Sequence, residues 1–329
     1  TAIGESVFAD EEVPSLLGAS RIFAPFRLVL SVYGHPSYRS IDPTVPGAIF
    51  FLLFFGLMFA DIGHGAVLAL IGMLLLIPKH ETARNAGKLL IGAGSASALC
   101  GLLFGSFFGL EDIVPALLFH PAQHISPFLF TGLGVGVGVV SAGIVLNIAK
   151  SFIRREWAGA FFSQWGIITL GFYWLCAGII AASFGNSAEL PASFIIASAV
   201  MPLAAMTIGE IVNAKLTHEG EFSEIIFHPV EVLLGLLSNT VSFVRLAAFG
   251  LCHIALMSAV YIIASSGPDD PVYRISVSIE GNILVIGLEL LVVTIQCLRL
   301  QFYEFFSKFF GAPGRRFSPL RAPHSREGA

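Results

Sequence analysis

Apolar residues run through this chain in long unbroken stretches, and polar residues collect between them. Eight apolar segments stand out, at about 45–60, 63–77, 89–108, 126–149, 160–184, 192–212, 230–264 and 281–310. An α-helix rises 1.5 Å per residue, so a hydrocarbon core of about 30 Å needs roughly 20 apolar residues. The third to sixth segments match that length. The first two are short for full spans and are separated by a break at Asp61 and His64. The last two are longer than a span requires, which predicts tilt. Residues 1–42 mix apolar pairs with Glu11, Glu12, Arg21, Arg27 and Arg39 and read as a cytoplasmic or interfacial lead-in. Pro43 and Pro46 open the first helix; residues 43–311 read as the transmembrane domain, and 312–329 as a basic cytoplasmic tail.

Composition agrees. The chain is 55% hydrophobic and 12% charged, with mean hydropathy +0.82, whereas soluble domains carry roughly 25% charged residues. The expected fold is an all-α polytopic membrane protein of about eight transmembrane helices, the last two long and tilted. A net charge of -4 offers nothing to nucleic acid. Cys100, Cys176, Cys252 and Cys297 lie singly inside apolar runs, which suits buried thiols and gives no disulfide or zinc spacing. No nucleophile, metal or nucleotide motif is present, so neither a metal nor a cofactor is expected. The chain begins at Thr1, shows no signal peptide, and reads as a fragment.

Basic residues set the expected orientation. With the amino-terminal side taken as inside, fifteen of the 18 Lys and Arg fall at inside segments and helix ends, and only Arg274 falls in an outside loop. This asymmetry is what cytoplasmic retention of Lys and Arg produces for an even number of crossings with both termini cytoplasmic.

The remaining two, Arg245 and Arg299, lie within membrane segments. A charged side chain there costs about 2.5–3.5 kcal/mol on insertion scales, so it faces protein or a water-filled cavity. The bland alternative for Arg245 is a buried salt bridge, with Glu289 for instance. In helical projection Glu231, Ser238, Ser242 and His253 fall near the face of Arg245, forming one polar stripe along the seventh segment. His253 lies about 12 Å beyond Arg245, and Glu289 about 15 Å before Arg299 on the returning segment. Glu289 and His253 therefore share one half of the membrane, while Glu231 lies at the opposite end. A core histidine and a solvated interfacial carboxylate are the bland readings of His253 and Glu231. Glu210, Glu304 and Gln296 are weaker candidates; Gln296 lies one turn from Arg299. Gly132, Gly134, Gly136 and Gly138 alternate along the fourth segment, a spacing that suits packing or local distortion rather than one helix face.

The stretch from Ser238 to His253 (SNTVSFVRLAAFGLCH) resembles the signature of the V-type and archaeal-type ATPase stator subunit, known as subunit a or subunit I. Residues 298–310 (LRLQFYEFFSKFF) resemble its last membrane helix, and Phe59–Gly65 (FADIGHG) its early Gly-Asp motif, with Ala60 replacing the first glycine. Leu103–Gly109 (LFGSFFG) also fits, and the likeness runs from about Tyr33 to Phe317.

The resemblance implies a stator subunit that carries protons or sodium ions past a rotating proteolipid ring. Arg245 would face the ring's carboxylate, with Arg299 beside it. Glu289 and His253 would line the outer half-channel, and Glu231 the cytoplasmic one. Gln296, Ser242, Ser238, Asp61 and His64 are secondary candidates; Asp61 and His64 are expected first to cap or join the first two segments. The implied partners are the proteolipid c/K ring, the peripheral-stalk and central-stalk subunits, and the lipid bilayer of a prokaryotic plasma membrane. Catalysis of ATP chemistry would belong to those partners. Family members precede this half with a large cytoplasmic half, of which this chain has almost nothing. The competing expectations are a secondary transporter or channel that binds an anionic substrate at the arginines, and a structural scaffold in which the arginines are paired. The transporter would call for repeated halves, which the chain does not display.

Overall fold

A computed structural model describes residues 23–27, 29–30, 34, 42–111, 113–155, 157–184, 204, 207 and 222–309. Nine α-helices are present among them: α1 Thr44–Phe59, α2 Ile62–Leu74, α3 Glu81–Phe104, α4 Ile125–Ile153, α5 Trp157–Phe162, α6 Ile167–Phe184, α7 Phe222–Ser242, α8 Val244–Ser266 and α9 Pro271–Arg299. A π-helical stretch, Leu300–Phe305, and a short 3-10 turn, Phe306–Lys308, extend α9. No strand occurs among the described residues. Glu81–Phe104, Ile125–Ile153, Pro229–Ser266 and Pro271–Lys308 are long and apolar enough to cross a membrane. Residues such as Leu99, Ile283, Leu284 and Leu291 are 65–67% exposed on these helices. Water would penalise such a surface, whereas lipid solvates it. The chain is an all-α membrane protein.

Helix α1 is apolar on every side, the pattern of a helix enclosed by protein. Phe51, Phe54, Phe55, Met58 and Phe59 are each at most 1% exposed, and α3, α8 and α9 pack around them. Helices α2 and α3 form an antiparallel hairpin whose backbones nearly touch. Gly65 and Gly72 on α2 meet Gly94 and Gly87 on α3, and Gly101, seven residues beyond Gly94, meets the backbone of Asp61 and Ile62 where α2 begins. A Cβ on Gly94 would sit 2.5 Å from the Gly65 carbonyl oxygen, and one on Gly87 2.6 Å from that of Gly72. Small residues at such spacing permit close approach of membrane helices. Gly94→Val is therefore expected to destabilise the purified chain by about 1–3 kcal/mol. A lower midpoint in detergent thermal unfolding measures it, and an unchanged midpoint contradicts this packing.

The glycines of α4 divide by role. Gly132 and Gly136, one turn apart, receive Ala247 and Phe243 of the α7–α8 unit; a Cβ on Gly136 would sit 2.6 Å from that of Phe243. Gly134 lines an apolar groove of about 690 Å³ between α4, α6 and α7, and Gly138 has open space.

Several boundaries differ from the sequence expectation. The third segment is helical from Glu81 and stops at Phe104, where Gly105 adopts φ +73° as a left-handed C-cap. The fifth is broken between Phe162 and Ile167. The seventh is interrupted at Phe243, whose N–H bonds to the Thr240 carbonyl in a tighter i→i−3 turn. The eighth begins at Pro271, with Asp270 accepting from the Val272 N–H as N-cap. Helices α1, α2 and α6 are shorter than a full span. Most of the sixth segment, Glu210, most of the lead-in and the tail lie outside the described residues, which hold four helices long and apolar enough to cross a membrane rather than eight.

Candidate functional site

The break between α1 and α2 is built around one carboxylate. Asp61 is fully buried and extended, and its side chain caps α2 by accepting from the His64 N–H at 2.8 Å. The same carboxylate accepts from Ser106 Oγ at 2.8 Å, the Phe108 N–H at 3.1 Å and the Gly109 N–H at 2.7 Å. Phe107 and Leu110 exchange backbone hydrogen bonds around Phe108 (φ +49°) and Gly109 (φ +73°). Two successive positive φ values define the tight hairpin turn that aims consecutive N–H groups at an anion. The turn is fixed to α8 by the Tyr261 hydroxyl, which donates to the Phe108 carbonyl at 2.8 Å, and by the close approach of Gly109 to Met257.

Two imidazoles meet this carboxylate. His253 on α8 is 2% exposed; its Nε2 stands 3.5 Å from Asp61 Oδ2, and its Nδ1 lies 2.6 Å from Glu289 Oε2 on α9. His64 is fully buried, with its ring centroid 5.0 Å from that of His253 and its Nε2 2.8 Å from Asn282 Oδ1. Residues from four chain segments thus converge on one buried polar centre: Asp61, His64, Ser106, His253, Asn282 and Glu289. Glu289 pairs with His253, so the salt bridge weighed for Arg245 is not formed with Glu289.

The arginines occupy another level of the same hairpin. α8 and α9 are antiparallel and joined at His253–Glu289. Arg245 lies about 12 Å along α8 from that pair, and Arg299 about 15 Å along α9. Both sit where α-helical geometry fails. Arg245 follows the interruption at Phe243, and Arg299 immediately precedes the π-helical stretch. Such departures free or redirect backbone groups and concentrate at functional positions. Arg245 is half-buried, with its Nη1 enclosed and without a hydrogen-bond partner. Arg299 is exposed, in a stripe otherwise formed by Leu284, Leu288, Leu291, Ile295 and Tyr303. Glu304, buried in the π-helical stretch, lies within electrostatic reach of both arginines and of Ser242.

The remaining sequence candidates are more dispersed. Glu231 is exposed on α7. Ser238 is exposed, and Ser242 donates to its carbonyl at 2.9 Å. Gln296 is half-buried, with Oε1 enclosed and unpaired. Sequence reasoning overlooked Ser106 and Asn282 and ranked Glu304 low. A serine in a loop and an asparagine among apolar residues give no periodic signal; Glu304, five residues beyond Arg299 in an apolar run, gave a usable one.

Residues 1–96 match the model of the V-type ATPase 116kDa subunit family. A-type ATP synthase subunit I of Pyrococcus abyssi is 27% identical over 329 residues, covering 95% of this chain and 48% of that protein. The subunit I of Aeropyrum pernix is 27% identical over 362 residues, covering 94% and 51%. That of Methanocaldococcus jannaschii is 28% identical over 358 residues, covering 95% and 50%. The chain spans about half the length of these relatives.

Proposed function

Because this chain belongs to the V-type ATPase 116 kDa subunit family, we propose that it is the membrane part of the stator subunit of a rotary ATPase. It lets protons or sodium ions pass a ring of proteolipid subunits and couples their passage to rotation. The observation that carries this reading is the register of the α7–α9 unit. Arginines stand at two helix irregularities, and the carboxylate–imidazole pair Glu289–His253 lies two to three turns away on the same hairpin.

A ring carboxylate crosses lipid only when neutralised, because an unpaired charge in hydrocarbon is costly. At the stator it meets Arg245, whose guanidinium keeps its charge. At about 4 Å and an effective dielectric of about 20, the attraction is about 4 kcal/mol. That favours the charged carboxylate roughly a thousandfold. The released ion leaves by one polar path, and the carboxylate reloads from the other after rotation. Glu289, His253 and Asp61 line the outer path; Glu231, with Ser238 and Ser242, marks the cytoplasmic one. Arg245, Arg299 and Gln296 separate the two, and the fixed positive charge opposes direct leak. Glu304 supplies a negative neighbour for the arginines when no ring carboxylate is opposite. The exposed apolar stripe around Arg299 suits a rolling contact with ring helices.

Residues 43–311 form the translocating domain, flanked by a cytoplasmic lead-in and tail, and the subunit sits in a prokaryotic plasma membrane with both ends cytoplasmic. Peripheral-stalk and central-stalk subunits complete the machine, and ATP chemistry belongs to other subunits.

Glu289→Gln tests the outer path. The amide keeps the shape but cannot accept and release a proton. ATP-driven ion uptake by the assembled complex in liposomes is expected to fall about tenfold or more. Unchanged uptake would remove Glu289 from the path.

A further inference from the structure

The geometry points to a divalent transition-metal site formed by Asp61, His64 and His253, of the kind that holds Zn2+, whose occupation stops ion flow past His253. The binding site stands on geometry alone; the block of flow rests on the function proposed above.

One ligand atom from each of the three residues lies within 4.8 Å of the others, and all three side chains are buried. Two ring nitrogens here, His64 Nδ1 and His253 Nε2, are enclosed and lack a hydrogen-bond partner. The opposite nitrogen of each ring has one. Asn282 commits its Nδ2 to the Ser278 carbonyl at 2.7 Å, so its Oδ1 accepts from His64 Nε2–H. That leaves the lone pair on His64 Nδ1. The Glu289 carboxylate accepts from His253 Nδ1–H. His253 Nε2 faces Asp61 Oδ2 at 3.5 Å, so the ring lies between two carboxylates. Between two carboxylates this nitrogen holds either a proton or a metal ion, and a divalent cation that binds here takes the place of that proton, which leaves to solvent.

The surrounding shell also suits a metal. Metal-binding imidazoles characteristically donate their second N–H to a carboxylate or carbonyl oxygen, which fixes the tautomer and raises ligand basicity. Glu289 and Asn282 do this for the two histidines. Zn–N and Zn–O bonds of about 2.0–2.1 Å in a tetrahedron place ligand atoms about 3.3 Å apart, close to the 3.5 Å separation of Asp61 and His253. Two imidazoles and one carboxylate favour zinc, nickel or copper over magnesium or calcium. Three protein ligands leave a fourth position for water. The ligands come from the α1–α2 break and from α8, nearly 200 residues on, so no ligand spacing in the sequence announces the site.

Co2+ is the probe, added to the purified intact complex and followed by the visible ligand-field absorption of a tetrahedral ion. Wild type is expected to bind it saturably, and Zn2+ to displace it. His64→Gln removes one ligand and should abolish the signal. Asn282→Ala leaves all three ligands in place and should weaken binding about 10–100-fold, with assembly checked by gel filtration and ATP hydrolysis. Absence of the signal in wild type overturns the site, as does a signal that both substitutions leave unchanged; the cluster then holds a proton only. Zn2+ applied from the outer side should block ATP-driven uptake by wild type, and the half-blocking concentration, read against each complex's own metal-free rate, should rise about 10–100-fold in Asn282→Ala. Specific binding without a block upholds the site and contradicts the passage of ions past His253.

Discussion

Replacing Asp61 by alanine is expected to remove about 4 kcal/mol or more of stability. Four donors lose their acceptor at once: the N–H groups of His64, Phe108 and Gly109, and the Ser106 hydroxyl. Each buried donor left unpaired costs about 1–3 kcal/mol. Phe108 adds to the loss. A non-glycine residue at φ +49° persists only because its surroundings hold it there, and the carboxylate is the anion that its N–H and that of Gly109 converge upon. Losing 4 kcal/mol takes a large share of the 5–15 kcal/mol that separates typical folded and unfolded states. Hydrogen exchange in detergent checks this: the amides of Phe108 and Gly109 should lose protection first, and the unfolding midpoint should fall. Native protection in the variant would show that other contacts fix this turn.

Much of the fold and part of the site can be read from the sequence, and the division follows from what local patterns encode. Apolar length marks α1–α4, because burial in lipid imposes it residue by residue. The polar stripe of the seventh segment is likewise a local signal, since Ser238, Ser242, Arg245 and His253 recur near one helical face. Asp61 before Ile-Gly-His64 reads as a helix start, and it caps α2. Breaks inside apolar runs leave no such trace. Phe243 interrupts α7–α8, and Leu300–Phe305 widens into π geometry, without any change in hydrophobicity. Gly132 and Gly136 explain the first of these only after folding, because they are what Phe243 packs into. The α4 glycines looked like alternation and proved to be two i, i+4 pairs facing different surroundings. Partners distant in sequence were not legible either. His253 meets Asp61 because α8 lies along α1, and Glu289 takes His253 rather than Arg245 because the α8–α9 hairpin sets the register.

That register leaves Arg245 as the charge on which the mechanism turns. Its Nη1 is enclosed without a hydrogen-bond partner, and Arg299 and Glu304 lie within its electrostatic reach. Glutamine preserves length and hydrogen bonding but removes the charge, and with it about 4 kcal/mol of attraction for a ring carboxylate. The most direct test is ATP-driven ion uptake by the assembled complex in liposomes, comparing wild type with Arg245→Gln after assembly is confirmed. The stator account predicts that uptake falls to background, about a thousandfold or more, while the complex remains intact. Coupled uptake near the wild-type rate would contradict it and leave Arg245 a structural residue.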